Sequence, residues 1–169
     1  MIKIGLISDT HGVLDPRVMD FIKGVDEIWH AGDWGDFSLY DELSEMAKVR
    51  GVYGNVDGPM RTDILPLNQL FTVEKVKVLI THIGGYPGNY EARVRKLILK
   101  ERPKLFISGH SHILKVMYDK KHELLHINPG AAGHSGFHKA ITAVRFEIDG
   151  DRIENLQVFE LPRKGKMGY

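Results

Sequence analysis

The stretch from residue 2 to residue 11, IKIGLISDTH, indicates how the rest of the chain is built. Residues 2–8 form an apolar run with β-branched side chains, typical of a strand that is buried on both faces. The run leads into Asp9 and His11, two side chains suited to metal or proton chemistry. Open α/β sheets place their sites at the carboxyl ends of the strands, so this stretch predicts a buried sheet with a site at its edge.

The same rhythm continues through the first third of the chain. Helices are predicted over residues 13–24 and from a cap at Asp36 or Ser38 to about Lys48, and strands over residues 27–31 and 49–53. A β-α-β-α-β order with short connections implies a parallel sheet with right-handed crossovers.

The second half of the chain is richer in strands. Strand-like runs cover residues 76–81, 105–108, 113–118, 123–127, 140–148 and 152–161, with one helical stretch over residues 90–100. We therefore predict an α/β fold in which two packed, mixed β-sheets are flanked by helices, a β-sandwich with αββα layers. One domain is expected to span residues 1–169, of which residues 163–169 form a loose tail.

The composition narrows the class of function. The chain has 23 Lys plus Arg against 22 Asp plus Glu, so it has no net field with which to hold nucleic acid or an anionic membrane. It has no cysteine, which fits a reducing compartment and restricts metal ligands to nitrogen and oxygen. We expect neither a secretory signal nor a membrane-spanning run, and we therefore expect a cytoplasmic protein.

Side chains that bind metals follow five predicted strands in succession. They are Asp9 and His11, Asp33, Asn55 with Asp57, His82, and finally His110 with His112. Most have a glycine or another small residue beside them, which lets backbone segments approach closely. Mixed imidazole, carboxylate and amide donors suit Mn²⁺, Fe, Zn²⁺ or Ni²⁺ better than Mg²⁺ or Ca²⁺. The pattern predicts a metal centre at the edge of the sheet.

In order, these motifs resemble those of the calcineurin-like metallophosphoesterases. The matching segments are 8–11 (SDTH), 32–33 (GD), 54–57 (GNVD), 81–82 (TH) and 109–112 (GHSH). The compact chain and the downstream segment 126–130, HINPG, are similar to the small YfcE-like phosphodiesterase branch. The resemblance covers roughly residues 1–161 and implies a metal-dependent phosphoesterase.

The resemblance also implies roles for individual residues. One metal ion is expected on Asp9, His11, Asp33 and His112, and a second on Asp33, Asn55, His82 and His110. Asn55, Asp57 and His82 are assigned to catalysis, with Asp57 interpreted as orienting a ligand. Two divalent ions, Mn²⁺ before Fe, Zn²⁺ or Ni²⁺, would share a hydroxide that attacks phosphorus.

The residual charge of such a centre favours a small phosphodiester as substrate. Two divalent ions, two carboxylates and a hydroxide sum to about one positive charge, which matches a diester monoanion. A monoester dianion needs further cations, and Arg61 is the one basic residue close to the motifs. A phosphomonoesterase is therefore a weaker alternative. A nuclease is also weaker, because the near-neutral charge of the chain offers no obvious track for a strand.

The proton donor to the leaving group is a departure from the superfamily. Val56 stands where many relatives carry a histidine, and valine cannot transfer a proton. Either the enzyme works on esters with acidic leaving groups, or His134 or His138 supplies the proton, although both also fit solvated loop positions.

Other prominent side chains carry two interpretations each. Trp34 is suited to stack on an aromatic leaving group or to pack in the core. His30 is interpreted as a core or ligand-supporting histidine, and His122 and His126 as structural.

A rival function comes from the same resemblance. The retromer scaffold subunit keeps much of the ligand pattern yet serves as a protein-binding platform. The sequence leaves the oligomeric state open and is compatible with a homo-oligomer.

Overall fold

The computed structural model describes residues 1–58 and 64–162. Its elements in chain order are β1 (Ile2–Ile7), α1 (Pro16–Ile22), β2 (Glu27–His30), α2 (Ser38–Ser44), β3 (Lys48–Gly51), β4 (Asn68–Val73), β5 (Val76–Thr81), β6 (Gly85–Tyr86), β7 (Asn89–Tyr90), α3 (Ala92–Glu101), β8 (Leu105–Ile107), β9 (Leu114–Asp119), β10 (Leu124–Pro129), β11 (Ala140–Asp149) and β12 (Arg152–Pro162). The predicted tail at 163–169 and Arg61 lie outside the described residues.

The first sheet has the strand order β12-β11-β1-β2-β3. Strands β1, β2 and β3 run parallel, as the repeating strand and helix pattern predicted, with Ile4 opposite Glu27 and Glu27 opposite Lys48. Strand β11 pairs antiparallel with β1, with Ile2 opposite Ile148. The parallel part of the sheet is thus extended by a strand from the far end of the described chain.

The second sheet has the strand order β4-β5-β8-β10-β9. Its three central strands are parallel, and antiparallel strands close both edges. Both sheets are therefore mixed, as predicted.

Three apolar clusters define the layers. The largest lies between the sheets, where Leu6 and Trp29 of the first sheet pack with Ile80 and Ile107 of the second. A second cluster joins α1 and α2 to the outer face of the first sheet, and a third joins α3 to the outer face of the second. Because helices shield both outer faces, the central strands are buried on both sides. The predicted αββα sandwich is confirmed.

The structure corrects several element boundaries. Strand β4 was not predicted, because Asn68–Val73 is a half-exposed edge strand whose apolar pattern is weak. Helix α1 is capped by Asp15, whose side chain accepts a hydrogen bond from the backbone of Arg17. Helix α2 ends at Ser44, short of Lys48, and Phe37 rather than Asp36 or Ser38 holds its capping position. Among the described residues, no helix is long and apolar enough to cross a bilayer.

Candidate metal centre

The two sheets bring their strand ends to one shared edge. Backbone N–H groups of Asp9 and His11 donate to the carbonyls of Gly32 and Asp33, at 2.9 and 3.1 Å, which joins the loops after β1 and β2. One link between the sheets is a hydrogen bond from the backbone N–H of His110 to Oδ2 of Asp9, at 3.1 Å. The predicted ligands of the two sheets therefore meet in one place.

The ligand atoms fall into two groups, each within a span of 4.8 Å. One group is Asp9, His11 and His112, and the other is Asp33, His82 and His110. In the first group Nε2 of His112 lies 3.3 Å from Oδ1 of Asp9. In the second, Nε2 of His82 lies 3.2 Å from Oδ2 of Asp33. Each group contains three of the four residues that the resemblance implied for one ion.

Asp33 joins the two groups. Its Oδ1 accepts a hydrogen bond from the backbone of Val56, at 3.1 Å. Its Oδ2 lies 3.2 Å from Nε2 of His82 and 3.8 Å from Nε2 of His11, one imidazole from each group. Asp33 therefore lies between imidazoles of the two groups, and its bridging role stays a prediction.

Five of the predicted ligands have left-handed backbone conformations. The φ angles are 53° at Asp9, 51° at His11, 60° at Asp33, 72° at His110 and 64° at His112. Such conformations cost residues other than glycine roughly 1–3 kcal/mol each and cluster at functional sites. These strained residues lie where the predicted ligands converge. The backbone conformation thus indicates a functional site without reference to the residue types.

Glycines allow the loops to approach the carboxylates. A Cβ atom at Gly54 would overlap Oδ1 and the backbone nitrogen of Asp33, and one at Gly109 would overlap the Ser8 hydroxyl beside Asp9. The close backbone approach expected from small residues beside the ligands is present at both positions.

Hydrogen bonds set the tautomers of two imidazoles. Nδ1 of His82 lies 2.7 Å from the carbonyl of Ala31, so it carries the proton and leaves the Nε2 lone pair for the site. His138 donates from Nε2 to the carbonyl of Gly133, at 2.8 Å, and its Nδ1 therefore accepts from Nδ1 of His112, at 3.0 Å. His112 is thereby left with a free Nε2 lone pair. Partners of this kind orient metal-binding histidines.

The charges of the site support one another. Burial opposes ionisation of Asp9, but the nearby imidazoles of His112 and His82 hold the pKa of Asp9 below its ordinary value. Burial likewise opposes ionisation of Asp33, and His82 lowers the pKa of Asp33. Burial lowers the pKa of His82, but its contact with Asp33 outweighs this and raises that pKa. Both carboxylates are thus held in the anionic form that binds cations.

The residues present fit a pair of cations. Oδ1 of Asp9 and Nε2 of His11 are buried and have no hydrogen-bond partner among the described residues. The amide oxygen of Asn55 lies 3.1 Å from Nε2 of His82, and the same end of the amide faces His110 and both carboxylate oxygens of Asp33. An oxygen placed among other electron donors is stable when a cation lies between them; otherwise the amide nitrogen must turn inward to donate.

Asp57 supports the site from behind. Its carboxylate is 1% exposed and accepts hydrogen bonds from the backbone N–H groups of Trp34, Gly35 and Gly54, at 3.0, 3.0 and 2.8 Å. These bonds fasten the Asp33 loop to the Asn55 loop. These contacts fit the interpretation that Asp57 orients a ligand, and its assignment to catalysis stays a prediction.

Neither histidine hypothesised as the proton donor faces the cavity. Both ring nitrogens of His138 are engaged, with His112 and with Gly133. The ring of His134 points towards Asp15, with Nε2 3.7 Å from a carboxylate oxygen. The structure does not support the donor hypothesis for either residue, because His138 is occupied by His112 and Gly133, and His134 faces Asp15.

Two further side chains have structural roles. Trp34 is fully buried and stacks on His30 with ring centroids 3.8 Å apart, so its packing interpretation is correct and the stacking on a substrate is not. His30 accepts from the backbone of Gly32 and contacts Thr10, as expected of a histidine that supports the site.

Arg93 is a residue near the site that the sequence did not indicate. Its guanidinium donates to Asn68, to the Thr81 hydroxyl and to the Ile83 carbonyl, on either side of His82. It lines a cleft together with Asn55 and His82. Helix α3 carries it to this place from ten residues beyond the motif, so only the folded chain shows the connection.

The two groups open into one cavity of about 300 Å³. It is lined by His11, Asp33, Asn55, Val56, His110, Ser111, His112, Ser135, Gly136 and Phe137. The loop residues 135–137 form a wall that the motifs did not predict.

Comparison with known proteins decides the family. Residues 2–151 match the model of the calcineurin-like phosphoesterase superfamily domain. The chain belongs to this superfamily. It is 32% identical over 156 residues to a probable metallophosphoesterase of Methanothermobacter thermautotrophicus, an alignment that covers 89% of this chain and 88% of that protein.

Solved structures of the superfamily share the fold. A novel archaeal phosphodiesterase superposes with a TM-score of 0.73 at 21% identity, covering 95% of this chain and all of that one. Vps29 of Entamoeba histolytica, complexed with zinc, superposes with a TM-score of 0.74 at 15% identity, covering 96% of this chain and all of that one. At these identities the similarity shows the fold alone. The chain is a probable metallophosphoesterase with two candidate metal-binding groups.

Proposed function

We propose that the protein hydrolyses small phosphodiesters with two divalent metal ions. The observation that carries this proposal is the pair of His and Asp groups that adjoin at Asp33 and open into one cavity. The sizes agree, since a cavity of about 300 Å³ is within the range for small ligands.

One ion would be held by Asp9, His11, Asp33 and His112, and the other by Asp33, Asn55, His82 and His110. Bound metal ions of this kind lower the pKa of water and neutralise charge on phosphate oxygens. Mn²⁺ is the ion we expect first, with Fe, Zn²⁺ and Ni²⁺ as alternatives that the same donors accept.

The protein's own residues prepare the site in three ways. Asp9 and Asp33 supply the negative charge that attracts cations. The carbonyl of Ala31 and the ring of His138 contact Nδ1 of His82 and of His112, which directs Nε2 of each ring inward. Asp57 holds the two loops that carry Asp33 and Asn55 at a fixed separation.

The cavity wall favours a diester over a monoester. Among the described residues that line this cavity there is no lysine or arginine, so within it only the metal ions would neutralise a second phosphate charge. Arg93 lines the neighbouring cleft and is engaged with Thr81 and Ile83. Val56 occupies the position of the usual proton donor, and the rings of His134 and His138 point elsewhere. We therefore propose diesters with acidic leaving groups, which depart without a proton.

Hydrolysis by metal-stripped protein tests the proposal. Bis(p-nitrophenyl) phosphate and p-nitrophenyl phosphate are compared before and after addition of Mn²⁺, and then of Zn²⁺, Ni²⁺ or Fe²⁺. We expect Mn²⁺-dependent cleavage of the diester and much slower cleavage of the monoester. No turnover with any of these ions would reject the enzyme and favour the protein-binding scaffold. The cytoplasmic location and self-association stay predictions.

A further inference from the structure

An aromatic side chain stands almost free at the mouth of the cavity. Phe137 is 96% exposed, yet it lines the same cavity as His11 and His110, which belong to different ligand groups. Phenylalanine usually buries most of its surface, and exposure of the whole ring to water sacrifices that stabilisation. A ligand that covers the Phe137 ring when it binds would account for this exposed position.

The loop that carries Phe137 is fixed on both sides. His138 is buried and hydrogen-bonded to His112 and to the carbonyl of Gly133. Gly136 has a φ of 123°, and a Cβ atom there would overlap the ring of His112. The backbone on either side of Phe137 is thus packed against a ligand imidazole, which keeps the ring at the cavity.

The cavity lining is polar beside the candidate metal groups and apolar at the mouth. The metal groups contribute imidazoles and carboxylates, whereas Phe137 and Val56 are apolar, and Val56 is 50% exposed. Val56 directly follows Asn55, so this apolar residue is adjacent to a candidate ligand. The polar part suits a phosphoryl group, and the apolar mouth suits a substituent attached to that group.

We propose that Phe137 forms a stacking subsite for a planar aromatic ester group, such as an aryl ring or a nucleobase. Aromatic groups stack on exposed aromatic side chains with little regard to their hydrogen-bonding edges. The inference rests on the proposed function, since the subsite shares its cavity with the candidate metal groups. Trp34, which the sequence offered for this task, is buried beneath the site.

Binding of matched phosphinates tests the subsite. Methyl(phenyl)phosphinate and methyl(cyclohexyl)phosphinate are monoanions of similar size without an ester bond, so neither is consumed. Calorimetry with the Mn²⁺-loaded protein gives the ratio of their Kd values. We expect the phenyl compound to bind about fivefold or more tightly, at the low end of measured aromatic stacking.

Three variants test whether the preference for the phenyl compound depends on Phe137. Phe137→Ala is expected to bring the ratio close to one, and Phe137→Leu to lower it while keeping some affinity for both compounds. Because the ring is 96% exposed, neither change removes core packing. Tyr118→Ala is the control, since Tyr118 is an aromatic residue on β9 that is 57% exposed and does not line this cavity. It should keep the wild-type ratio.

The outcomes separate the subsite from the activity. A wild-type ratio near one, a ratio unchanged in Phe137→Ala, or a full ratio in Phe137→Leu would overturn the aromatic subsite. Hydrolysis of bis(p-nitrophenyl) phosphate is measured on the same samples. A phenyl preference that depends on Phe137 without any turnover would reject the proposed activity and retain the subsite, whereas turnover without a preference would reject the subsite alone.

Discussion

The two sheets contribute different chemistry to the site. The first sheet supplies both carboxylates and the amide, from Asp9, Asp33 and Asn55, together with one imidazole, from His11. The ligands that follow strands of the second sheet, His82, His110 and His112, are all imidazoles. Each metal-binding group takes its carboxylate from the first sheet and at least one imidazole from the second. Neither sheet holds a complete ligand set, so the site exists only where the two are packed together.

The largest effect is expected from removing the carboxylate that serves both groups. Asp33→Asn should lower kcat/KM for the diester at least about 10³-fold, because the activation of water depends on both ions. His110→Gln, which alters one group, should cost less, about 10²-fold by comparison with the loss of a single stabilising donor. Asp36→Asn, at an exposed turn, is the control. Equal losses in Asp33→Asn and His110→Gln would contradict the bridging role.

Metal binding should stabilise the packing of the two sheets. Mn²⁺ at about 100 times its Kd adds roughly 2.7 kcal/mol to the free energy of unfolding. For a chain of this size that is roughly a 5–10 °C rise in Tm, measured by calorimetry with and without a chelator. Asp9→Asn and His110→Gln, on opposite sheets, should each reduce the rise. A rise that survives one substitution unchanged would show that the ions bind to one sheet alone.

The residues that orient the ligands also differ between the two sheets. Asp57 fastens two loops of the first sheet with three backbone hydrogen bonds, whereas His138 holds one ring on the other side. Asp57→Asn should lower Mn²⁺ affinity or activity by about 10–100-fold, and His138→Gln should fall at the lower end of that range. Kd for Mn²⁺ and kcat are measured separately. A smaller loss in Asp57→Asn than in His138→Gln would reverse this assignment.

The smallest effect concerns the buried histidines of the two sheets. Burial lowers the pKa of His30 to about 3 and that of His126 to about 4, and each ring stacks on an aromatic neighbour. Since the unfolded chain takes up these protons near pH 6.5, stability is full above that pH and falls as the pH drops towards 4.

A substitution at His126 isolates its share of this pH dependence. His126→Phe should reduce the loss of unfolding free energy between pH 6 and pH 5 by roughly 1 kcal/mol. Urea unfolding of both proteins at the two pH values measures the difference. Identical slopes would mean that His126 is not the titrating group.

Much of the architecture could be predicted because short stretches of sequence determine it. A buried run such as 2–8 followed by Asp9 and His11 indicates both a strand and its functional end, and the motifs placed the family, which is confirmed. The strand at Asn68–Val73 was missed because an edge strand needs neither full burial nor strict alternation. The ligand roles of the motif residues stay predictions, although the structure brings those residues together.

What could not be predicted depends on contacts between distant segments. Arg93 reaches the His82 segment only because α3 packs beside β5, and nothing in its own neighbourhood signals this. The rings of His134 and His138 follow the path of their loop, which the residue types do not determine. Solvent exposure distinguishes Trp34 from Phe137. Both aromatic side chains suit stacking, but only Phe137 is accessible.

The position of β1 has a consequence for biosynthesis. In chain order this strand precedes the other four strands of its sheet, but it lies in the interior of the sheet between β2 and β11. One side can pair early, whereas the other must wait until residues 144–148 have been translated. Until then the second edge of β1 is unpaired, which is the kind of surface that chaperones shield. Asp9 and His11, which follow β1 closely, gain their final surroundings only when this distant pairing is made.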